Sequence, residues 1–442
     1  MSVSDVTLRR GEGGCGGAAA ATGINYGLRQ PLTARDKPAE PMRLPDRIAQ
    51  TEAQPDIYLR VHDDLDEVCR EWRSFEQHAD HTVFQSIDWL ANWQRHIGAL
   101  QKLVPAIVIG RKADGEILFI LPLAVEALGP IQRLTWLGSR LCDYNAPLLA
   151  ERFSAHVSVE RFMLAWRDII RLLRSDPRFR FDLIDLQKMP ECVGAQRNPF
   201  LDLDVRVHPS GAYAAALGAD WDAFYAAKRS SSTRKRERRQ LRQLADHGAV
   251  CFTEIEDCEE RTRTLSTLFE QKSRILARMG IDSPFFLLPG RREFFLALVN
   301  DLALRGCIHV SRLTVGAQVA AASIGLKHRG CYYLIMSSYD AGELSRFGPG
   351  RAHLHELLRH AIGEGLQRFD FTVGDEPYKR DWSDLELRLH DYLKATTLRG
   401  WGMKLLMVQY RRLKRCIKQS PGLWRAFRKA RALAGAITAS RP

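Results

Sequence analysis

The sequence predicts a mixed α/β fold of the α+β kind, made of two tandem copies of one unit, each a mixed and mostly antiparallel sheet flanked by helices. Three observations carry this. At 442 residues the chain is well beyond the roughly 150 of an average domain. Its apolar content of 45% and charged content of 26% are those of a chain that buries a core, which excludes disordered and collagen-like classes. The order hairpin, helix, short strand also occurs twice, as expected of a duplicated unit.

In the first half, Asp64 to Phe75 reads as a helix, and FQSIDWLANWQRHIG (Phe84 to Gly98) as another, with Trp89, Trp93 and Ile97 on one face. VPAIVIGRKADGEILFILPLAVEA then places two apolar runs about Asp114-Gly115, a hairpin signal because that pair tolerates positive φ. A helix over Val159 to Arg174 and the strand FDLIDL (Phe181 to Leu186) complete the unit. In the second half, CIHVSRLTVGAQVAAASIGLKHRGCYYLIMSSYD is broken at Gly316 and at Arg329-Gly330, which predicts three consecutive antiparallel strands. The turn FGPG opens a helix from Gly350 to Glu364, and the strand RFDFTV (Arg368 to Val373) follows. Phe181-Asp182 and Phe369-Asp370 thereby take matching places. The expected boundaries are a disordered leader over 1–50, a first unit over 55–205, a basic linking helix over 220–248 centred on Thr233 to His247, a second unit over 249–398 and a basic amphipathic tail over 399–442.

Charge is unevenly distributed. The 65 Lys and Arg exceed the 52 Asp and Glu by 13, yet residues 392–442 alone carry 13 bases and no acid. The rest of the chain sums to zero. Within it, Lys228 to Arg242 holds eight bases against the single acid Glu237. A polyanion is therefore expected at the tail rather than across the body. From Pro421 the tail can form a helix with Leu423, Phe427, Ala430 and Ala434 on one face, suited either to anionic lipid or to solvent. A nucleic-acid partner is not expected, since groove-reading elements and an aromatic-basic patch are missing.

Nine cysteines without a CxxC pair argue against a disulfide framework and a zinc site, and fit a reducing cytoplasm. No metal is expected at His78 to His81 or His353 to His355. No export signal or membrane span is apparent, the longest apolar run, Ile117 to Leu128, being interrupted by Glu126.

The chemistry is expected in Ser337 to Trp382. A strand leads into a glycine-containing loop and the loop into a helix, whose first amides point outward unsatisfied and attract phosphate. Gly348 and Gly350 leave the backbone open to a pyrophosphate, and Arg351 adds a charge beside Ala352. Asp370 has two readings, a catalytic carboxylate or a group turned to solvent or an Arg while Phe369 and Phe371 face the core. Asp375-Glu376-Pro377 is either a turn cap or part of the site. Tyr332, Tyr333, Trp89, Trp93 and Trp382 read as packing or wall residues.

The FGPGRAHL loop-helix, FDFTVGDEPYKRDW and FQSIDWLANWQRHIG resemble the GNAT superfamily of acyl-CoA-dependent acyltransferases, in the BioF2-like or cellulose-biosynthesis acetyltransferase branch, over roughly residues 58 to 398. The superfamily's phosphate pattern begins with Gln or Arg; here Ser345 holds that place and Arg346 falls one residue late. The resemblance implies two fused GNAT-like halves, acetyl-CoA or another acyl-CoA as donor, and a small-molecule or glycan acceptor. It implies that backbone groups of Ile335, Met336, Ser337 and Ser338 polarise the thioester. Asp370, Asp375 and Tyr378 are then catalytic candidates, with Tyr339, Glu376, Lys379 and Arg380 toward the acceptor. Two alternatives stay open: a non-catalytic GNAT-like scaffold of polysaccharide assembly, and an aminoacyl-tRNA-dependent transferase, because peptidoglycan-bridge enzymes share the doubled fold and carry a helical insertion.

Overall fold

The computed structural model describes residues 57–278, 288–301, 304 and 306–419. The expected leader and the tail helix from Pro421 lie outside these. In chain order the first half supplies β1 (Tyr58–His62), α1 (Leu65–Glu76), α2 (Ile87–Trp93), β2 (Val104–Arg111), β3 (Ile117–Leu128), β4 (Ile131–Trp136), β5 (Leu148–Leu149), α3 (Phe153–His156), α4 (Val159–Ser175), β6 (Leu183–Pro190), the short β7 (Cys192–Val193) and β8 (Gln196–Arg197), and β9 (Val205–Val207). β10 (Ala212–Ala216), which directly follows β9, closes the first half, and the second half supplies α5 (Trp221–Lys228), α6 (Ser231–Ala245), β11 (Val250–Glu254), α7 (Cys258–Arg278), α8 (Arg291–Asn300), β12 (Ile308–Val315), β13 (Gln318–His328), β14 (Cys331–Tyr339), α9 (Pro349–Gly363), β15 (Arg368–Val373), α10 (Pro377–Trp382), β16 (Leu385–Leu387), β17 (Leu389–Ala395) and α11 (Leu398–Gln419).

Most expected elements form, displaced by a residue or two. Asp64 is the cap of α1, its side chain accepting from the Asp66 amide, as a helix N-terminus favours. The helix expected over Phe84 to Gly98 is instead a 3₁₀ turn, α2 and a π turn at Gln94–Gly98.

The two sheets repeat one order. The first runs β1-β2-β3-β4-β6-β17-β9 and the second β11-β12-β13-β14-β15-β10-β16. In each, the fourth and fifth strands are parallel neighbours, Arg133 and Leu134 against Leu183 and Ile184, and Cys331 to Tyr333 against Arg368 to Asp370. This register shifts the expected correspondence by one residue. The hairpin ends set Ile131 level with Cys331 and so Arg133 level with Tyr333; their parallel partners are Leu183 and Asp370, so Asp370 stands level with Leu183 rather than Asp182.

The sixth place exchanges strands. β17, from the end of the second half, pairs antiparallel with both β6 and β9, while β10 pairs with both β15 and β16. Units over 55–205 and 249–398 therefore do not separate: the first sheet holds β17, from within 249–398, and the second holds β10, from before 249.

Both sheets are covered on both faces. One core, holding Trp72, Trp89 and Trp93, joins Ile107, Ile109 and Ile120 of the first sheet to Ile308, Ile324 and Met336 of the second. The outer face of the first sheet packs α4 through Phe162, Trp166 and Ile169. The outer face of the second packs α9 through Leu354, Leu357 and Leu358.

Candidate active site

Along β14 the side chains first alternate: Tyr332 and Leu334 face α9, and Tyr333 faces the shared core. Strict alternation would put Met336 toward α9, yet it lies in the shared core. The reason is a bulge. Ile324 pairs with Met336 but Gly325 with Leu334, leaving Ile335 as the extra residue, and such an insertion bends and re-aims a strand. On the neighbouring strand, Thr372 has φ 60°, a left-handed conformation that a β-branched residue adopts only under constraint. With both strands distorted, the pairing of β14 with β15 runs from Cys331 and Arg368 only as far as Tyr333 and Asp370. Beyond them a cleft of about 440 Å³ opens.

The N-terminus of α9 faces this cleft. Gly348 caps it at φ 69°, where a side chain would be strained, and Pro349 takes the first helical position, where its missing N–H costs nothing. A Cβ on Gly350 would stand 3.2 Å from Tyr339 Cδ1, so this glycine keeps the backbone accessible beside the tyrosine. Arg229, Arg236, Lys272 and Arg351 line the same cleft. Arg351 donates to Gln240 at 2.5 Å, and Arg229 lies 4.2 Å above the Trp382 ring and 3.2 Å from Asp381. Arginines lining the cleft that the first-turn amides face suit a pyrophosphate.

At the inner end, Lys272 of α7 donates to the Ser337 carbonyl at 3.0 Å, and burial lowers its pKa. Tyr378 hydrogen-bonds Ser337, and burial raises its phenol well above the usual value, keeping it protonated. Glu376 lines the cleft and pairs with Lys379 at 3.2 Å. Lys379 is itself buried, donating to the Val373 carbonyl at 2.9 Å.

Of the residues expected from sequence, Ser337, Ser338, Tyr339, Gly348, Gly350, Arg351, Glu376 and Tyr378 line the cleft. The others are placed elsewhere. Asp370 is 1% exposed and turns to the shared core, where it accepts from the Tyr144 hydroxyl and the Thr372 amide, each at 2.7 Å. It is neither in solvent nor ion-paired to an arginine, because the face opposite Phe369 and Phe371 is also covered. Asp375 accepts from Ser210 at 3.1 Å. Arg380 donates to the Tyr213 hydroxyl. Ile335 and Met336 contribute through the bulge, Ala352 lies under α6 in a neighbouring hollow, and Lys379 holds Glu376.

Three further residues were not legible. Lys272 comes from a helix with no motif. Tyr144 and Asp143 come from the loop after β4; burial raises the Asp143 carboxyl, opposed by Lys188 and Lys379. A charged residue inside the apolar run LCDYNAPLL is the signal that marks that loop.

Residues 231–380 match the family model of the acetyltransferase (GNAT) domain. No curated protein matches the chain. Among solved structures it is similar to FemX, at 10% identity and a TM-score of 0.50 over 76% of this chain and 95% of that one. A conserved protein of unknown function from Bacteroides thetaiotaomicron VPI-5482 is 11% identical, with a TM-score of 0.48 over 76% and 99%. A tandem GNAT protein from the clavulanic acid biosynthesis pathway is 11% identical, with a TM-score of 0.42 over 77% and 99%. The acetyltransferase (GNAT) domain match falls on the second sheet, around the cleft, and the first sheet repeats that sheet's strand order, so the fold is a doubled GNAT-like one.

Proposed function

We propose that the chain moves an acyl group, acetyl in the simplest case, from an acyl-CoA to an amine or hydroxyl of a sugar, a polysaccharide precursor or another small acceptor. The observation that supports this is the α9 N-terminus, with Gly350 and Arg351, set at the mouth of a cleft between two strands that part at a bulge. When bound, the donor supplies a thioester. The backbone about Ile335 to Ser338 then lies along the carbonyl and stabilises developing negative charge. Glu376 takes the proton from the acceptor, and Tyr378, held protonated by burial, returns one to the departing thiolate. Asp370 and Asp375 have no part in this reading. The glycan acceptor rests on the BioF2-like and cellulose-biosynthesis resemblance of the motifs.

Calorimetry with acetyl-CoA and CoA tests the donor: binding is expected, and is expected to vanish in Gly350→Trp, whose side chain fills the approach to the backbone. Glu376→Gln should leave donor affinity unchanged and lower the rate of thiol release by about 10²-fold. No binding of any acyl-CoA at millimolar ligand would overturn the proposal; binding without thiol release across an amine and sugar panel favours the scaffold alternative. One observation supports an aminoacyl-tRNA donor as second reading: Lys235, Arg236, Arg238, Arg239 and Arg242 of α6 are all exposed. Under it, tRNA binds instead of CoA and affinity falls steeply with salt.

A further inference from the structure

At the far end of α9, away from the cleft, two histidines and two carboxylates converge from three elements. Glu254 ends β11, His309 lies near the start of β12, and His360 and Glu364 stand one helical turn apart at the end of α9. His360 follows Pro349 by 11 residues, which at 1.5 Å per residue separates it from the phosphate end of the helix by about 16 Å. The cluster is thus independent of the transfer chemistry.

Its geometry is close to that of a metal centre. His309 Nε2 is 3.8 Å from Glu254 Oε1, and His360 Nε2 is 3.7 Å from Glu254 Oε2 and 3.3 Å from Glu364 Oε1. Ligands held at about 2.0 Å around a tetrahedral zinc are about 3.3 Å from one another. Shifts of about half an ångström would bring each histidine–carboxylate pair to that spacing, and donor atoms at the 4.8 Å outer limit would have to approach by about 1.5 Å. The donor atoms of Glu254, His309 and His360 already lie within 4.8 Å of one another.

The chemistry of His309 is a second and independent indication. It is 0% exposed, yet its Nε2 has no hydrogen-bond partner, and neither has that of His360. A buried unsatisfied ring nitrogen costs free energy unless something fills its lone pair. Its other nitrogen is engaged: Nδ1 lies 2.8 Å from the Tyr332 hydroxyl. With Nδ1–H donating to that hydroxyl, Nε2 presents a bare lone pair to the cluster, the arrangement by which an outer partner orients a ligating histidine. Lys327 faces the carboxylates too, 3.1 Å from Glu364 and 4.0 Å from Glu254. Its ammonium holds the negative charge in check and would have to yield Glu364 to an incoming ion.

We infer that Glu254, His309 and His360, with Glu364 or a water in the fourth place, form a divalent transition-metal site of zinc type that braces the C-terminal end of α9 against β11 and β12. The imidazole-carboxylate set suits zinc or cobalt rather than magnesium or calcium, which prefer all-oxygen shells. The experiment uses the full chain, freed of any histidine tag. Titration with Zn²⁺ should show one equivalent bound, and Co²⁺ substitution should give the intense visible absorption of a four-coordinate ion. Both should be weakened at least tenfold in His360→Gln, whose side chain is at the surface edge of the cluster. Glu254→Gln should act in the same direction, which guards against a fold defect peculiar to one variant. Absence of zinc binding by the parent protein, or binding of unchanged affinity in both variants, would overturn the assignment. CoA affinity should be the same in all three proteins, so this test fails or succeeds independently of the acyl-transfer proposal.

Discussion

At Asp370, burial and hydrogen bonding act in opposite directions. Desolvation raises its pKa from 3.8 to about 6, while the Tyr144 hydroxyl and the Thr372 amide oppose the rise without cancelling it. The folded state therefore holds the proton more tightly than the unfolded chain does. Stability from this residue is present in full below about pH 4 and is lost as pH rises through about 6. The shift corresponds to about 3 kcal/mol at 1.36 kcal/mol per pH unit. Asp370→Asn removes the titration while keeping an acceptor for both donors. Urea denaturation from pH 4 to pH 7 should show the parent losing about 2–3 kcal/mol relative to the variant. Glu76, also raised by burial, to about 7, is common to both proteins and cancels in the difference. A constant difference across that range would refute this account. The sequence marked Asp370 correctly as unusual, since an acid between two phenylalanines must face something. It could not show what, because the partner Tyr144 is 226 positions away in a loop without periodicity.

Elements were read more reliably than their surroundings. The strands β12, β13 and β14, the loop and helix at α9, and β15 were all legible, because alternation, glycine punctuation and helical periodicity are local signals. α6 shows the limit. Its composition suggests a solvated or polyanion-binding helix, and most of its bases are indeed exposed, but its single acid is 6% exposed. Glu237 accepts from the Tyr225 hydroxyl at 2.6 Å and lies within 3.6–3.8 Å of His355, Arg351 and Arg229. The lone acid in a basic helix is what fastens that helix over the cleft. α11 raises a similar question, with Leu398, Trp401, Leu406 and Tyr410 all exposed beside a stretch that carries only bases. Among the described residues no helix is long and apolar enough to cross a membrane, and we propose that α11 and the residues after it lie on an anionic bilayer surface, at about 1 kcal/mol per basic residue close to it. Deleting residues 411–442 removes ten of the bases. Sedimentation with anionic liposomes should then fall sharply while CoA affinity holds; unchanged liposome binding would exclude the idea.

On the scale of the whole molecule, the exchange of β10 and β17 matters most. Without β17, β6 and β9 face each other across a missing strand, and without β10 the same is true of β15 and β16. Unpaired edges and half-covered sheets are poorly stable and prone to associate. The two halves should therefore unfold in one urea transition, with the same midpoint for fluorescence of Trp136 and Trp166 in the first half as for Trp221 and Trp382 in the second, read in variants that retain one pair. Two separated transitions would show that the exchange does not couple them. Local signals predicted two repeats and their internal order, but which sheet a strand joins is a long-range choice that short β10 and β17 do not advertise. The same exchange sets a timetable for biosynthesis. When β6 and β9 leave the ribosome, the strand that belongs between them has yet to be translated, almost 200 residues downstream. At about 5–20 residues per second the gap stays open for about 10–40 s. The nascent first half must wait with an open sheet, so a chaperone that shields strand edges is expected to govern its yield in the cell.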